Sequence, residues 1–349
     1  MTPPDVPGRA RPEGKVTIAE VAARAGVSKG AVSLAVNDRP GVSDATRERI
    51  LEVARELGWR PGRPAGPRSP VLAGNVGLVI ARPARMLALE PFYTEFTAGI
   101  ESVLAERSFS LLLRLVGAVD EEIAVHDGWW RSGQTRGSIL VDFTEDDPRI
   151  GALRPLGMPV IAVGHPGLTG GFPSVWTDDA AAVTEAVRYL AALGHRRTAR
   201  VGGPAALGHS GIRTRAFDRV VAELDLEPAP SLSTDYSGEQ GARATRTLLA
   251  SAQRPTAILY DNDIMAVAGL SVAAEMGVSV PDELSLIAWD DSQLCGLTRP
   301  SLSAMSHDVF AYGAEAARRL MAAIDGGPEC SGPVPTPALV PRGSTARAR

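Results

Sequence analysis

Cysteine is nearly missing from this sequence. Cys295 and Cys330 are the only two in 349 residues, which excludes a disulfide framework, and they show no metal-ligand spacing; both read as small buried apolar residues or as chance. Lysine is equally scarce. Lys15 and Lys29 stand against 34 arginines, a bias that reads as genomic base composition, so arginine alone does not signal phosphate recognition. The five histidines, at 126, 165, 195, 209 and 307, have no metal spacing. No HExxH, Walker A or GxGxxG pattern occurs, and Ser210 in "GHSG" lacks the Gly-x-Ser-x-Gly frame, so no catalytic residue, metal or cofactor is expected. No apolar run reaches the length of about 18 residues that a membrane span needs. "MTPPDVPGRARPEGK" has no apolar segment of the secretory kind, and a cytoplasmic location is the expectation.

What is present is an ordinary globular composition, 44% apolar and 22% charged, at a length that suggests two or three domains. Charge is unevenly spread. Residues 1–72 carry 12 basic and 8 acidic side chains, net +4; the remainder carries 24 and 32, net −8. A basic head on an acidic body implies that the head meets a polyanion and the body does not.

"VTIAEVAARAGVSKGAVSLAVND" parses into two short helices. Thr17 with Glu20 forms a capping box, and Ile18, Val21, Ala22 and Ala25 make one apolar face. Gly26 breaks that helix. Ser28 is the cap for the next, in which Val32 and Val36 face inward. A third helix starts at Ser43, carries the stripe Ile50, Val53, Ala54 and Leu57, and ends at Gly58. The pattern is a helix-turn-helix. Its second helix, about Lys29 to Val36, is the one that would lie in a DNA major groove.

From residue 75 the texture changes. Short apolar runs at 75–81, 110–116, 137–143, 159–164, 198–203, 256–261 and 284–290 alternate with helical patterns, for example 98–106, 180–194, 214–224, 238–249 and 264–277. Alternation of this kind predicts parallel sheets covered on both faces. Asp263 reads as a helix N-cap, Asp178 as a cap or a cleft residue, His165 as incidental, and Trp129 and Trp130 as helix packing.

"VTIAEVAARAGVSKGAVSLAVN" with "VSDATRERILEVARELGWRP" resembles the head of the lactose-repressor (LacI/GalR) family of transcription factors. "LGHRRTARVGGP", "RPTAILYDNDIMAVAGL" and "VSVPDELSLIAWDDSQL" resemble that family's periplasmic-binding-protein-like core. The resemblance implies an all-α head on an α/β core of two parallel-sheet subdomains. The divisions would be a disordered stretch at 1–14, a DNA-binding domain at 15–60, a linker at 61–72, a core at 73–345 and a tail at 346–349 whose Arg/Ala end is disordered. The core would split into 73–164 with 305–330, and 165–304 with 331–345. By position, Lys29, Gly30 and Leu34 would read bases, with Lys29 carrying much of the readout and Leu34 meeting a thymine methyl. Ser33 and Asn37 would contact the DNA backbone, and the caps Thr17 and Ser28 are counted with the DNA-binding residues. Members of the family usually place a minor-groove helix where "WRPGRPAGPRSP" stands. Pro61, Pro64, Pro67 and Pro70 favour instead an extended linker, semi-rigid or merely flexible, whose Arg60, Arg63 and Arg68 could still reach DNA. In the core, Phe92, Tyr93, Arg213, Asn262 and Asp290 match effector-binding positions, and Trp289 could stack on a sugar face.

Taken together these features predict a homodimer binding a palindromic operator, with affinity altered by a small molecule such as a sugar; repression is what the resemblance implies. No tetramerising heptad tail is visible. A solute-binding protein is the alternative, which the head argues against. An enzyme using the same cleft is the third reading, and turnover of a bound sugar would identify it.

Overall fold

The computed structural model describes residues 17–36, 41–57, 74–83, 90–227 and 230–349. The expected N-terminal stretch 1–14, the linker 61–72, and the candidate DNA contacts Asn37, Arg60, Arg63 and Arg68 lie outside the described residues. The chain divides into two compact units, Met1–Pro70 and Val71–Arg349.

Among the described residues, the first unit holds three helices, α1 (Ile18–Ala25), α2 (Lys29–Val36) and α3 (Asp44–Glu56). Thr17 N–H donates to Glu20 Oε2 at 2.7 Å, the return bond of a capping box. Gly26 ends α1 in the left-handed region, φ +64°, and Val27 N–H closes back on Ala22 O. That bend lets α2 start at once, with Ser28 Oγ accepting from Ala31 N–H at 3.2 Å. Val21, Ala25, Val32, Ile50 and Ala54 meet in a core of small and β-branched side chains.

The second unit opens with β1 (Asn75–Ile80), α4 (Pro91–Glu106), β2 (Ser110–Leu115), α5 (Val119–Ser132), β3 (Gly137–Leu140), α6 (Pro148–Leu153), β4 (Val160–Val163) and β5 (Ser174–Trp176). It continues through α7 (Asp179–Ala192), β6 (Thr198–Gly202), α8 (Gly208–Glu223), β7 (Ser231–Ser233), α9 (Gly238–Leu249), β8 (Ala257–Tyr260), α10 (Asp263–Glu275), β9 (Ser285–Trp289), α11 (Gln293–Leu297) and β10 (Ser303–Ser306). It closes with α12 (Val309–Ile324), β11 (Gly332–Pro333) and β12 (Ala338–Val340). Two six-stranded sheets result, ordered β11-β5-β4-β3-β1-β2 and β12-β10-β9-β8-β6-β7, parallel throughout except for the edge pair β10–β12. The seven apolar runs are all strands, and each sheet has helices on both faces. In the first, α4 and α12 cover one face, while α5 and α6 cover the other. In the second, α9 and α10 oppose α7 and α8.

The strand order corrects the expected subdomain boundaries. β5 lies beyond residue 164 and β11 beyond residue 330, yet both hydrogen-bond into the first sheet. Both are two or three residues long, too short to leave an apolar run. The C-terminal tail, expected to be disordered, is also bound. Ala348 N–H donates to Leu193 O at 2.9 Å and Ser344 is buried against Leu286 and Ser303. Cys295 is buried as expected, but Cys330 is exposed.

Candidate functional site

Two regions gather the predicted residues. In the head, Lys29, Gly30 and Ser33 share the exposed side of α2, opposite Val32 and Ala35. A Cβ on Gly30 would meet only Ser28 Oγ, at 3.7 Å, so the glycine leaves open surface beside the helix start. Leu34 is half-buried: a Cβ on Gly41 would lie 3.0 Å from its Cδ1. Its side chain leans on the α2–α3 connection, which limits what it can offer to an outside surface. Thr17 spends its N–H on Glu20, and Ser28 its hydroxyl on the cap of α2.

In the core, a cavity of about 120 Å³ lies where the carboxyl ends of the strands of both sheets converge. Phe92, Tyr93, Arg213, Asn262 and Asp290 all line it. In doubly wound sheets this edge is where loops diverge and leave a crevice. The residues arrive there for local reasons. Phe92 and Tyr93 sit in the first turn of α4, their rings edge to face at 5.3 Å. Asn262 caps α10 through Oδ1, accepting from Met265 N–H at 2.9 Å, and its Nδ2 donates to Tyr236 O at 3.0 Å. The cap is therefore Asn262 and not Asp263, which is the first helical residue. Asp178 resolves as a cap, accepting from Ala181 N–H at 2.9 Å.

Trp289 is a correction. It is 1% exposed and packs into the core between α7, α8 and the sheet. Trp289 points to the sheet face covered by α7 and α8, and the Arg213 guanidinium carbon lies over its ring at 3.9 Å. The tryptophan is a floor for the arginine and does not reach the cavity wall. Trp129 is buried against Gly77, and Trp130 Nε1 donates to Leu156 O at 3.2 Å, both as packing residues.

Several site residues escaped the sequence reading. Arg82, two residues beyond β1, places Nη1 3.0 Å from Glu90 and Nε 2.8 Å from Asp142 Oδ2. Tyr93 hydroxyl donates to the same Asp142 oxygen at 2.7 Å. Arg213 Nε donates to Asp179 at 2.9 Å and Nη1 to Asp261 O at 3.2 Å. Asp261 in turn accepts from Arg200 Nε at 2.8 Å and Gly203 N–H at 3.2 Å. His307 Nε2 stands 3.0 Å from Asp290 Oδ1, and His209 Nε2 stands 2.8 Å from Tyr236 hydroxyl. His165, read as incidental, also lines the cavity. The signal that could have found most of them is their place, one to three residues after a strand.

Burial sets the electrostatics. It pushes the Glu90 carboxyl up to about 7, against the pull of Arg82. Burial also pushes Asp142 upward, but Arg82, His209 and the Tyr93 hydroxyl together hold it below the ordinary carboxylate value. His209 is held below the usual histidine value by burial and by Arg213. Asp263 is pushed up to about 6 by burial, with Asp290 adding to the rise and Ser292 opposing it. Three non-glycine residues of the wall, Asp142, Tyr236 and Asp290, have φ of +55°, +71° and +77°. Left-handed backbone at a non-glycine residue costs about 1–3 kcal/mol, so the surrounding structure must hold these three in place.

Comparison with known proteins gives the family and supports the fold. Residues 17–62 match the model of bacterial regulatory proteins of the lacI family, and residues 187–345 that of the periplasmic binding protein-like domain. The HTH-type transcriptional regulator CelR of Thermobifida fusca is 30% identical over 317 residues, covering 89% of this chain and 92% of the relative. The chain belongs to the LacI family. A LacI family transcriptional regulator from Bifidobacterium animalis subsp. lactis superposes with a TM-score of 0.73 at 38% identity, covering 79% of this chain and 98% of that one. A CelR–cellobiose complex superposes at 0.71 with 28% identity, covering 94% and 99%. As a LacI-family member the chain is a DNA-binding transcriptional regulator with a periplasmic-binding-protein-like effector domain.

Proposed function

We propose that the protein binds a palindromic operator as a homodimer, acts as a repressor in the cytoplasm, and changes its DNA affinity when an uncharged sugar occupies the core cleft. Lys29 reads a base edge from the start of α2, with Gly30 and Ser33 beside it, and Leu34 supports the helix. The cleft binds its ligand without turning it over.

One observation carries the choice of ligand. The wall is rich in acceptors, and both cleft arginines are already paired, Arg82 between Glu90 and Asp142, Arg213 on Asp179. Hydroxyl donors suit Asp290 and the other carboxylates, and Phe92, Tyr93 and Trp176 offer flat faces for the apolar side of a sugar ring. A phosphate or carboxylate would meet guanidiniums that are already ion-paired with carboxylates. At 4 Å from a carboxylate it would face repulsion of about 4 kcal/mol at an effective dielectric of about 20. The relative CelR, solved with cellobiose, supports the same class of ligand.

The test is a thermal-shift screen of neutral mono- and disaccharides beside their phosphates and acids, followed by operator binding with each hit. A neutral sugar should raise Tm and alter DNA affinity, and Asp290→Ala should lose both effects while keeping the fold. Stabilisation only by sugar phosphates would overturn the assignment.

A further inference from the structure

Behind the cleft wall lies a buried polar cluster whose residues do not line the cavity. Glu122 and His126 on α5, Asp147 before α6, and Arg149 in α6 are all 4% exposed or less. Each of the five guanidinium N–H groups of Arg149 has an acceptor. Nε donates to Asp147 Oδ1 at 2.9 Å, Nη1 to Glu122 Oε1 at 2.7 Å and Val141 O at 2.8 Å, and Nη2 to Asp147 Oδ2 at 2.6 Å and Asp142 O at 3.1 Å. The plane of the group covers the Phe143 ring at 4.6 Å. Two of those acceptors are consecutive backbone carbonyls of the turn leaving β3, and Asp142 in that turn has φ +55°. A non-glycine residue stays there only when its surroundings hold it. The same turn aims the Asp142 carboxylate at Arg82 and Tyr93.

We propose that Arg149 is the positioning residue of the effector cleft: its fork clamps carbonyls 141 and 142 and so fixes the direction of the Asp142 carboxylate. No lysine can replace it, because one ammonium cannot bond two carbonyls and two carboxylates in a plane. Five bonds, three of them to carboxylates, also explain how the Arg149 charge is tolerated in a buried layer outside the cavity lining. The value of Asp142 to the effector rests on the cleft being the effector site; its placement by Arg149 does not.

The experiment follows that placement without any ligand. The full-length protein is labelled with carbon-13 at the aspartate carboxyls, Asp142 is assigned by loss of its signal in Asp142→Asn, and its titration is compared with that in Arg149→Lys. The charge is kept in Arg149→Lys, so a change reports geometry. The carboxylate should turn away from Arg82 and Tyr93, and its titration midpoint should rise toward the ordinary aspartate range. Glu122→Gln, which keeps an acceptor for Nη1, should leave the midpoint where it was. If Arg149→Lys does not fold, Asp147→Glu, which keeps the charge but shifts the opposite side of the fork, should move the midpoint in the same direction by less. A folded Arg149→Lys, or a folded Asp147→Glu in its place, with the parent's Asp142 titration would overturn the proposal and leave Arg149 a purely structural residue. A neutral sugar that binds the parent should bind Arg149→Lys more weakly. Failure of every sugar to bind the parent would count against the ligand assignment alone.

Discussion

Helices α4 and α12 cross with almost no space between their backbones, and one methyl group should show it. A Cβ on Gly99 would stand 2.0 Å from Phe310 O, and one on Gly313 2.1 Å from Phe96 O. Both are more than an ångström inside ordinary contact, and the obstacle in each case is backbone, which cannot swing aside. Gly99→Ala gains about 1 kcal/mol of helix propensity. Against this, overpacking costs about 1–3 kcal/mol, and a rigid carbonyl places this site at the upper end. The net is roughly 2 kcal/mol of destabilisation, or about 4–8 °C in the Tm of the core at roughly 2–4 °C per kcal/mol. Gly128 in α5 is the control. It is exposed, nothing lies within 4 Å of its Cβ position, and Gly128→Ala should raise Tm by about 1–4 °C. Calorimetry of the purified variants gives both numbers. Opposite signs are the prediction; a neutral or stabilising Gly99→Ala would refute the reasoning, because it would mean that the helices part freely. Since α4 begins with Phe92 and Tyr93, Gly99→Ala should also weaken effector binding.

Lys29→Ala should cost about 1–3 kcal/mol on the preferred operator and relax one base position, read by selection from a random duplex library at fixed salt. Equal loss on every sequence would remove Lys29 from base readout. Gly30→Ala has room and lies in a helix, so it should stabilise the head by up to about 1 kcal/mol in thermal melts; a lower head Tm would contradict the open surface seen beside it. Glu122 is pushed up to about 7 by burial, from 4.5, despite Arg149. A carboxyl raised in the folded state contributes stability that is present below its unfolded value and is lost as pH rises through its folded value. The stability of Glu122→Gln relative to the parent should therefore increase from pH 5 to pH 8. A decrease across that window would show that the Arg149 pair outweighs burial.

Much of the fold was legible because parallel strands covered on both faces must be apolar along their length. β1, β3, β4, β6, β8 and β9 announced themselves in that way. β5, β7, β11 and β12 did not, because two or three residues carry no pattern; their places are set by partners far away in sequence. The cleft was legible where a residue type is demanded by a motif, as at Arg213, Asn262 and Asp290. Trp289 misled because a neighbour in sequence is not a neighbour in space on a strand. Arg82, Asp142 and Tyr236 lay one to three residues beyond strands, and the crevice rule would have indicated them. Arg149 had no such signal: its role depends on a turn whose carbonyls happen to face α6.

Effector-controlled operator binding by this chain is the central claim, and it can be measured directly. A duplex selected from a random library would be titrated with full-length protein at fixed salt, with and without the neutral sugar that gives the largest thermal shift. The account predicts a palindromic site, half-sites spaced for two heads, and an affinity that changes several-fold or more with sugar in the parent but not in Asp290→Ala. Binding to a palindrome that is indifferent to every stabilising sugar, or that responds equally in Asp290→Ala, would contradict it.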